Sequence, residues 1–585
     1  MSRGRRRVKV TDAASRFSRS SIALGLAAAL TAFSVRADQP PVTFLDQGWS
    51  KEIRELFYFT PQGSRMIPYA WFRALESASG PGMFSDSNNL TRYGFIAADG
   101  SHRLNLDGLP IGFAVEPAEA ASWPQDSAFT AGPFETASNR GPALGLTCAA
   151  CHTATVTVEG RPVRIDGAPA HLDFDRFYAD LAAAVTRTFF DAAAFERFAA
   201  RVLENPSPTG AAELRLQLAD FEAGMAGDAV IRRPTLESGF GRVDALTQII
   251  NALAVTDQAE PLNLRAVSVP TSYPPLWLVP ELEFVQWNPI AASPIGRNGG
   301  QALGVFGTAV LTGDPQGWFA SSLRVRDLHA LETWVADLNP PQWDEAVFGP
   351  VDRTLAARGE ELFRQHCASC HNAPPYRRTD AAENLFGKTF IKIGRVDYRA
   401  IGTDPSYVAL LLQRLVRTNA VTAQAHDGAA VVPAVSYFLK TVGAIVTRAM
   451  NEAGLSEQEK AAFNGYRLRP PSTPGGEPQP YLPPSIMDLK AGPLPGVWVT
   501  GPYLHNGSVP TVYELLSPVA ERRKVFWTGG RELDRDRLGF VSDNAPGRFR
   551  FDTDLTGNRN TGHVYPPQGL SPDERNAVIE YLKVL

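Results

Sequence analysis

The chain is poor in cysteine, carries little net charge and lacks long apolar runs. Its 585 residues include only four cysteines, and the formal net charge is −4. Without a clustered basic excess, nucleic acid is excluded as the main partner. With 44% hydrophobic and 20% charged residues, the composition is that of a soluble globular protein of roughly two to four domains. Beyond the N-terminus, no apolar stretch predicts a transmembrane helix.

The N-terminal residues have the layout of a secretory signal. Basic residues cluster at positions 3–9, and a mostly apolar stretch, Ser21–Val35, follows them. Small residues around Arg36 then stand where a signal peptidase needs them. We therefore predict that residues 1–37 are a signal peptide and that the protein is periplasmic or secreted. An uncleaved membrane anchor is the alternative.

All four cysteines lie in two copies of one motif. The motifs are Cys148-Ala-Ala-Cys151-His152 and Cys367-Ala-Ser-Cys370-His371. The pattern C-x-x-C-H is the attachment site of c-type haem, whose vinyl groups form thioethers with the two thiols while the histidine ligates the iron. An exported chain with four cysteines would otherwise suggest two disulfides, and a single motif could be a redox dithiol. Two motifs behind a signal favour two covalent haems, with His152 and His371 as axial ligands.

The position of the motifs suggests one haem in each half of the chain. A helical pattern, Val351–His366, runs into Cys367, and a capping box at Ser571 opens a final helix. A similar helix over Leu328–Leu338 ends at two prolines, which places a domain boundary near residue 345. We predict a mainly α fold of two cytochrome c-like haem domains with long loops and little β. Residues 38–345 would hold the first haem, at the active site, and residues 346–585 the second.

The first half departs from the pattern of a small cytochrome c. No helix of the Ala-x-x-Gly type leads into Cys148. A β-prone stretch, Thr153–Ile165, follows the first motif, and helical segments follow around Phe174–Val202 and Ala211–Met225. In the second half, prolines between residues 470 and 484 predict an extended connection.

Seven histidines and one methionine remain as candidates for the other face of each iron. His505 and His563 lie in glycine-rich C-terminal loops that could fold over a haem, and Met487 is the thioether candidate. His171 follows the first motif and could be a distal ligand or acid of the first haem. It could equally sit in a helix start before Leu172.

Several segments resemble known dihaem proteins. The segment Gly501-Pro-Tyr-Leu-His-Asn-Gly-Ser-Val-Pro-Thr resembles the equivalent stretch of bacterial dihaem cytochrome c peroxidases. Four others resemble more specifically the rubber-oxygenase branch of that superfamily: residues 145–153, 164–167, 285–288 and 552–563. Together the resemblances span nearly all of the chain after the signal.

The resemblance to rubber oxygenases implies a late histidine as the second ligand of the second haem, at His563. No methionine follows Met487, so the methionine ligand of the peroxidases has no counterpart. Ligation by His371 and His563 leaves no free site and suits electron transfer. Trp287 matches the inter-haem tryptophan of the peroxidases, with ordinary core packing as the alternative. The peroxidases also imply calcium, although no distinctive calcium loop is visible.

The first haem is expected to be the reactive centre. From Phe284 to Gly313 the chain has no Asp or Glu, so the proton-moving glutamate of the peroxidases is missing. An apolar pocket that includes Phe306 favours dioxygen instead, as in the rubber oxygenases. Trp287, Phe306 and His171 are thus the candidate catalytic residues.

These observations predict an exported dihaem c-type oxidoreductase that resembles rubber oxygenases. Its first haem would activate dioxygen or peroxide, and its second would relay electrons, with a small redox protein as donor or acceptor. A peroxidase with a proton donor from elsewhere in the chain is one alternative. A non-enzymatic electron carrier is another, and it gains support if His171 ligates the first haem.

Overall fold

The computed structural model describes residues 41–117, 141–384, 386–465 and 485–585. The predicted signal peptide, residues 1–37, and the proline-rich connection between residues 470 and 484 lie outside the described residues. The described part from Val42 to Leu585 forms one compact unit. None of its helices is both long and apolar enough to cross a lipid bilayer.

Most of the α-helices are short, and the longest are α4, α6 and α14. The helices of the described residues are α1 (Lys51–Phe59), α2 (Tyr69–Ala74), α3 (Ser87–Thr91), α4 (Phe174–Phe190), α5 (Ala192–Val202), α6 (Pro208–Arg232), α7 (Ala245–Asn251), α8 (Pro294–Gly304), α9 (Val325–Ala336), α10 (Glu345–Phe348), α11 (Arg353–His366), α12 (Tyr398–Ile401), α13 (Ser406–Gln413), α14 (Ala434–Glu452), α15 (Glu457–Asn464), α16 (Val512–Leu515) and α17 (Pro572–Val584). A π-helix, Ala252–Asp257, continues α7.

The strands are two to six residues long and form small sheets. They are β1 (Thr43–Phe44), β2 (Ile67–Pro68), β3 (Phe113–Glu116), β4 (Ala143–Leu146), β5 (Thr153–Val158), β6 (Arg161–Asp166), β7 (Arg242–Val243), β8 (Thr271–Ser272), β9 (Gly394–Asp397), β10 (Leu415–Arg417), β11 (Val431–Pro433), β12 (Asp488–Ala491), β13 (Val525–Thr528), β14 (Leu533–Asp534), β15 (Gly539–Phe540) and β16 (Phe549–Asp552). Two sheets have three strands, in the orders β1-β6-β5 and β2-β4-β3, and the others pair two strands each.

The prediction of a mainly α fold with little β is wrong. Helices occupy 42% of the described residues and strands 14%, so the fold mixes helices with small sheets. Several strands pair with partners far away in the chain, as Thr43 does with Val163 and Asp397 with Asp488. Strands of two to four residues are too short for alternation to reveal them, and their pairing depends on long-range contacts.

The β-prone stretch after the first motif forms a hairpin, as its sequence predicts. Strands β5 and β6 pair in antiparallel register, with Thr153 opposite Asp166. The returning chain then binds the motif itself, because the Gly167 amide donates to the His152 carbonyl at 3.0 Å and the Ala170 amide to the Cys151 carbonyl at 2.9 Å. The hairpin therefore holds the first motif from its C-terminal side.

Two crossing helices frame the second motif. Helix α11 leads into Cys367 and packs against the C-terminal helix α17. A Cβ atom on Gly359 would lie 1.9 Å from the Ala577 carbonyl oxygen, so only glycine permits this approach. The Phe363 and Tyr581 rings pack 5.3 Å apart at the same crossing. This is the helix pair that the sequence predicts around a cytochrome c motif.

The largest hydrophobic core draws on both predicted halves of the chain. Buried residues such as Ile250 and Leu328 belong to the same cluster as Ile445 and Val578. A second cluster lies within the first half and includes Phe177 and Phe306. The boundary near residue 345 stays a prediction.

Candidate functional site

The two C-x-x-C-H motifs fold into the same turn. The Cys148 carbonyl accepts hydrogen bonds from the amides of Cys151 and His152, at 3.3 and 3.0 Å. In the second motif, the Cys367 carbonyl accepts from the amides of Cys370 and His371, at 3.1 and 2.8 Å. A compact turn of this kind brings both thiols and the histidine together, as attachment of one porphyrin requires.

The four thiols are free and poorly suited to redox dithiol chemistry. Neither motif forms a disulfide. Burial raises the pKa of Cys148 and Cys151 to about 12 and that of Cys367 to about 11. A reactive dithiol depends on a thiol with a lowered pKa. The raised pKa values of these three thiols therefore argue against a redox dithiol at either motif.

Both motif histidines are fixed in the same way. His152 Nδ1–H donates to the Pro274 carbonyl at 2.9 Å, and His371 Nδ1–H donates to the Gly492 carbonyl at 2.8 Å. Each acceptor lies about 120 residues after its histidine, 122 and 121 respectively. The carbonyl fixes the tautomer and leaves Nε2 with its lone pair for a metal. Burial lowers the pKa of His152 to about 4 and also lowers that of His371, so both are neutral at pH 7.

His563 faces His371 across a cavity. The two ring centres lie 6.2 Å apart, with ring planes at 64°. A metal–imidazole bond is about 2 Å long, so a metal between two Nε2 atoms separates the ring centres by about 6 Å. The pair therefore has the spacing that a haem iron needs, whereas Met487 does not line the cavity.

The space around this pair, which we name the histidine-pair cavity, is large and mainly apolar. It measures about 1,560 Å³ including its opening, and its walls include Trp287, Leu489, Leu515 and Val578 besides the two histidines. Apolar walls with two central imidazoles suit a porphyrin and not a hydrated ion. Among the described residues, no group of three or more His, Cys, Asp or Glu side chains could hold a metal ion.

The loop that carries His563 is held by a buried arginine. His563 has a left-handed backbone, φ 51°, and its amide donates to the Ile401 carbonyl at 2.9 Å. The Arg522 guanidinium donates to the carbonyls of Asn560, Gly562 and His563 at 2.6, 2.9 and 3.3 Å. Burial lowers the pKa of His563 to about 3, and the charges of His371 and Arg522 add to this effect. The backbone is thus clamped while the imidazole stays neutral.

Among the described residues, no histidine ring packs against that of His152. Its ring contact is with Tyr273, at 6.4 Å. The Cys148 thiol donates to Gln62 Oε1 at 3.2 Å. Cys151 packs against the second hydrophobic cluster, which includes Tyr273 and Phe306. The first motif therefore borders an aromatic and apolar region.

Phe306 belongs to the same cluster and has a strained backbone conformation. It is buried, and its φ of 63° is rare for a residue with a bulky side chain. Its ring lies 4.9 Å from the Tyr178 ring and 4.7 Å from the Arg232 guanidinium. Its carbonyl accepts from the Arg65 amide at 2.9 Å. Strain held by such packing is a feature of functional sites, which agrees with Phe306 as a candidate pocket residue.

His171 packs against an aromatic residue of the C-terminal half. Its own ring contacts Phe540 at 4.5 Å, and it hydrogen-bonds to the backbone of Gly530. It lines a different cavity, of about 480 Å³, and lies shortly before the N-cap of α4, Asp173. Burial lowers its pKa to about 3. These contacts favour the helix-start interpretation over a distal ligand or acid, and its catalytic role stays a prediction.

Trp287 links the surroundings of the two motifs. Its indole N–H donates to the Ser272 carbonyl at 3.0 Å, next to Tyr273, which contacts His152. Its side chain lines the histidine-pair cavity, and its carbonyl accepts from the Lys490 amide at 2.8 Å. The position between the two motifs is what an electron bridge needs.

Three residues in the segments that resemble known dihaem proteins have structural partners. His505 lines the histidine-pair cavity, but its ring lies 6.1 Å from that of Tyr407 and its carbonyl accepts from the Ser272 amide. Arg164 donates to Thr155, and Asp166 accepts from Arg54 at 2.6 Å. Arg164 and Asp166 therefore bind side chains within the first half of the chain.

Sequence reasoning missed Tyr273, Arg522 and the two carbonyls that orient the motif histidines. The two carbonyls are those of Pro274 and Gly492, and each of these residues is followed by a proline, Pro275 or Pro493. A proline after the residue whose carbonyl binds the histidine is therefore a signal common to both motifs. Arg522 has no such signal, because its role depends on three carbonyls brought to it by a distant loop.

Comparisons with known proteins found one family and two relatives. Residues 489–528 match a family described as RoxA-like, cytochrome c-like. The chain is 34% identical to the uncharacterized protein y4iJ of Sinorhizobium fredii, over 96% of this chain and 97% of the relative. A second protein of that bacterium, the uncharacterized protein y4iM, is 25% identical over 54% of this chain and 62% of its own length.

These matches define the class of protein. The RoxA-like segment contains Gly492, His505 and Arg522, and it supports the rubber-oxygenase-like branch. It indicates a cytochrome c-like oxidoreductase with covalently bound haem c, of a kind that is usually exported. Because of its full-length similarity, the chain belongs to the same family as y4iJ.

Proposed function

We propose that the protein is an exported dihaem c-type oxidoreductase resembling rubber oxygenases. One haem would attach at Cys148 and Cys151 and the other at Cys367 and Cys370. The observation that carries the proposal is the 6.2 Å separation of the His371 and His563 rings, whereas among the described residues the His152 ring contacts Tyr273. An iron at His371 would have both axial positions occupied, and we name this the closed centre. An iron at His152 would keep one position free, and we name this the open centre.

The closed centre suits electron relay. His371 and His563 both offer an imidazole nitrogen to the same cavity, so an iron there has no position left for a substrate. Arg522 fixes the backbone of the His563 loop, and the Gly492 carbonyl fixes the His371 ring. Rigid ligands on both sides keep the geometry similar in the two oxidation states, which favours fast electron transfer.

The open centre suits chemistry on a small oxidant. When bound at His152, haem would supply one-electron chemistry with dioxygen or peroxide. Phe306 belongs to the buried, aromatic-rich cluster against which Cys151 packs. The missing carboxylates between Phe284 and Gly313 leave no nearby proton donor of the peroxidase kind. Dioxygen with an apolar alkene is therefore the favoured pair of substrates.

Electrons would pass between the centres through the protein. Tyr273 contacts the His152 ring, and the neighbouring Ser272 carbonyl accepts from the Trp287 indole N–H. Trp287 in turn lines the histidine-pair cavity. A small redox protein would supply or remove the electrons from outside.

The peroxidase alternative has one observation in its favour. A buried polar network lies behind Phe306, where Asp228 accepts from the Tyr178 hydroxyl and from Arg232 Nε, both at 2.6 Å. Burial and the neighbouring Asp228 carboxylate also raise the pKa of Asp257 well above its usual range. Such a group could act as the proton donor from elsewhere that a peroxidase would need.

The optical spectrum of the purified haem-loaded protein tests the proposal. We expect CO and azide to change the spectrum of one haem and leave the other unchanged. A response from neither haem would indicate a non-enzymatic carrier. A response from both would refute the closed centre.

Turnover then separates the two enzymatic functions. We expect oxygen uptake in the presence of polyisoprene latex and little peroxide-dependent oxidation of a reduced cytochrome. The reverse result would assign the protein to the peroxidases, and latex without protein serves as the control.

A further inference from the structure

The second motif lies in a basic part of an acidic chain. The 33 residues from Cys367 to Arg399 contain six Lys or Arg against three Asp or Glu, whereas the whole chain has a net charge of −4. The equivalent 33 residues that begin at the first motif, Cys148 to Asp180, contain three Lys or Arg against five Asp or Glu. The two motifs therefore differ in the sign of the charge that follows them.

The six cations after the second motif are all exposed. Ion pairs neutralise two of them, Arg378 with Glu281 and Arg399 with Asp397. Three others form no ion pair with any described carboxylate, and we name them the basic rim: Arg377, Lys392 and Arg395. The charge of Asp488, on the paired strand, partly offsets that of Arg395. The surplus positive charge therefore lies mainly on Arg377 and Lys392.

Backbone contacts hold the basic rim beside the motif. Asn372 directly follows the motif histidine, and its Nδ2 donates to the carbonyls of Arg377 and Lys392 at 3.0 and 2.9 Å. A Cβ atom on Gly394 would lie 2.3 Å from the Cys370 carbonyl oxygen, so the third cation, which comes next in the chain, also follows a contact with the motif. The rim is thus part of the surface around the second motif.

Arg377 and Lys392 lie side by side. They come directly before and after the two residues of the bridge between Arg378 and Ile391, and the Lys392 amide donates to the Arg377 carbonyl at 2.9 Å. Like charges at opposite positions of paired segments repel each other. An anionic partner would relieve this repulsion, so the arrangement favours binding of an acidic surface.

A cavity that contains the histidine pair reaches the surface at this motif. It measures about 720 Å³ including its opening, and it is lined by His371 and His563. Its wall also includes Ser369, which is exposed, and Tyr565, which is 38% exposed and whose ring lies 5.4 Å from that of His563. A haem bound there would have an edge near solvent, where another redox protein could exchange electrons with it.

We propose that the basic rim binds an acidic redox protein, which exchanges electrons with the second haem. Complementary charges steer two proteins together and fix their relative orientation. Because the chain as a whole is negative, an acidic partner is repelled elsewhere and attracted at the rim, beside the haem edge. An anionic membrane would also attract these cations, but it would not use the exposed haem edge. The inference rests on the proposed function, since it needs a haem at His371.

Binding of small redox proteins to the haem-loaded protein tests this inference. The acidic probe is plastocyanin and the basic probe is mitochondrial cytochrome c, both measured by surface plasmon resonance at low and high salt. We expect plastocyanin to bind more tightly than cytochrome c, and added salt to weaken its binding. Arg377→Glu with Lys392→Glu should reduce the affinity for plastocyanin about tenfold, because two attractive charges become repulsive.

Arg233→Glu with Arg265→Glu is the matched control. Both residues are exposed and lie close to a bridge, that between Pro234 and Val267, so the double substitution changes the net charge equally in a similar setting. Neither residue lines a cavity around His371. We expect the control to leave the affinity for plastocyanin nearly unchanged. If a charge reversal prevents folding, glutamine replaces glutamate at both positions of each pair.

Three results would overturn the proposal. The first is a wild-type protein that does not bind plastocyanin, or that binds cytochrome c more tightly. The second is an equal affinity for plastocyanin in the rim variant and in its control. The third is binding of the wild type to phosphatidylglycerol vesicles, lost in the rim variant, without binding of plastocyanin, which would assign the rim to a membrane.

The outcomes also separate this inference from the proposed function. The pyridine haemochrome assay counts the haems, and the optical spectrum identifies the low-spin one. Any of the three results in a protein that has two haems and the low-spin spectrum would overturn the docking surface alone. A wild-type chain without a haem at the second motif would refute both.

Discussion

The two C-x-x-C-H motifs share the same local turn and differ in the residue that lies across from the motif histidine. In each, the same turn holds the cysteines and a distant carbonyl orients the motif histidine. Opposite His371 the chain supplies His563, whereas the ring beside His152, among the described residues, is that of Tyr273. The comparison teaches that the motif turn is a repeated unit. Under the proposed function, the other residues around each motif would decide between electron relay and substrate chemistry.

The two centres also differ in how the chain reaches them. A strand, β4, precedes the first motif, and the long helix α11 precedes the second. Each uses a glycine for close backbone contact: a Cβ on Gly145 would lie 1.9 Å from the Ser64 carbonyl, just as one on Gly359 would lie 1.9 Å from that of Ala577. Different secondary structures thus meet the same steric demand.

Removal of one cysteine pair has the largest expected effect. Cys148→Ser with Cys151→Ser should leave one haem per chain and abolish the response to CO, because the open centre is lost. Cys367→Ser with Cys370→Ser should also leave one haem but keep that response. The pyridine haemochrome assay and CO difference spectra measure both. Equal behaviour of the two double variants would contradict the division into open and closed centres.

His563→Ala should open the closed centre. Without the second imidazole, the haem at His371 gains a free position, and we expect its spectrum to change from low-spin to high-spin with new binding of CO and azide. His505→Ala is the matched control, because His505 lines the same cavity but packs beside Tyr407. A wild-type spectrum for His563→Ala would show that another group is the ligand.

Substitution of either close-contact glycine should destabilise the fold to a similar degree. Gly145→Ala and Gly359→Ala each force a methyl group into a backbone carbonyl, which is expected to cost about 1–3 kcal/mol. Gly443→Ala, in the middle of α14 with no atom within 4 Å of its Cβ, should instead stabilise by about 0.5–1 kcal/mol. Urea unfolding followed by circular dichroism compares the three. A loss at Gly443 equal to the others would refute the steric explanation.

Trp287→Phe is expected to have the smallest effect, a lower rate of electron transfer between the two centres. Phenylalanine keeps an aromatic ring but loses the indole N–H bond to Ser272, so electron passage between the centres should slow while both haem spectra stay unchanged. Trp318→Phe is the control, since the Trp318 indole also donates to a backbone carbonyl, that of Gly313. Stopped-flow oxidation of the reduced protein by dioxygen measures the rate. Equal rates in the two variants would remove Trp287 from the path.

Local sequence patterns predicted the parts of the fold that depend on neighbours in the chain. The hairpin after His152, the helix leading into Cys367 and the capping box at Ser571 are all present. Each of these features depends on residues close together in the chain: alternation for the hairpin, helical periodicity for the helix and a capping box for the helix start. The spacing of the cysteines likewise predicted two motif turns, and these have the same hydrogen bonds.

Contacts between distant segments could not be predicted in this way. The small sheets overturned the mainly α prediction because two-residue strands such as Thr43–Phe44 have no periodicity of their own. The contacts of Arg522 with the loop of residues 560–563 become visible only in the folded chain. His563 was one of two histidines in glycine-rich C-terminal loops and was chosen by resemblance, whereas its ring separation from His371 is a property of the folded chain.

The His371–His563 pair has a consequence for how the chain matures. A haem attached at Cys367 and Cys370 and coordinated by His563 would form a cross-link between segments roughly 190 residues apart. By the entropy estimate used for disulfides, closing a loop of that size stabilises the native state by about 5 kcal/mol. The C-terminal region would then complete its folding only after cofactor delivery, and chains that miss it would be the ones most exposed to proteolysis.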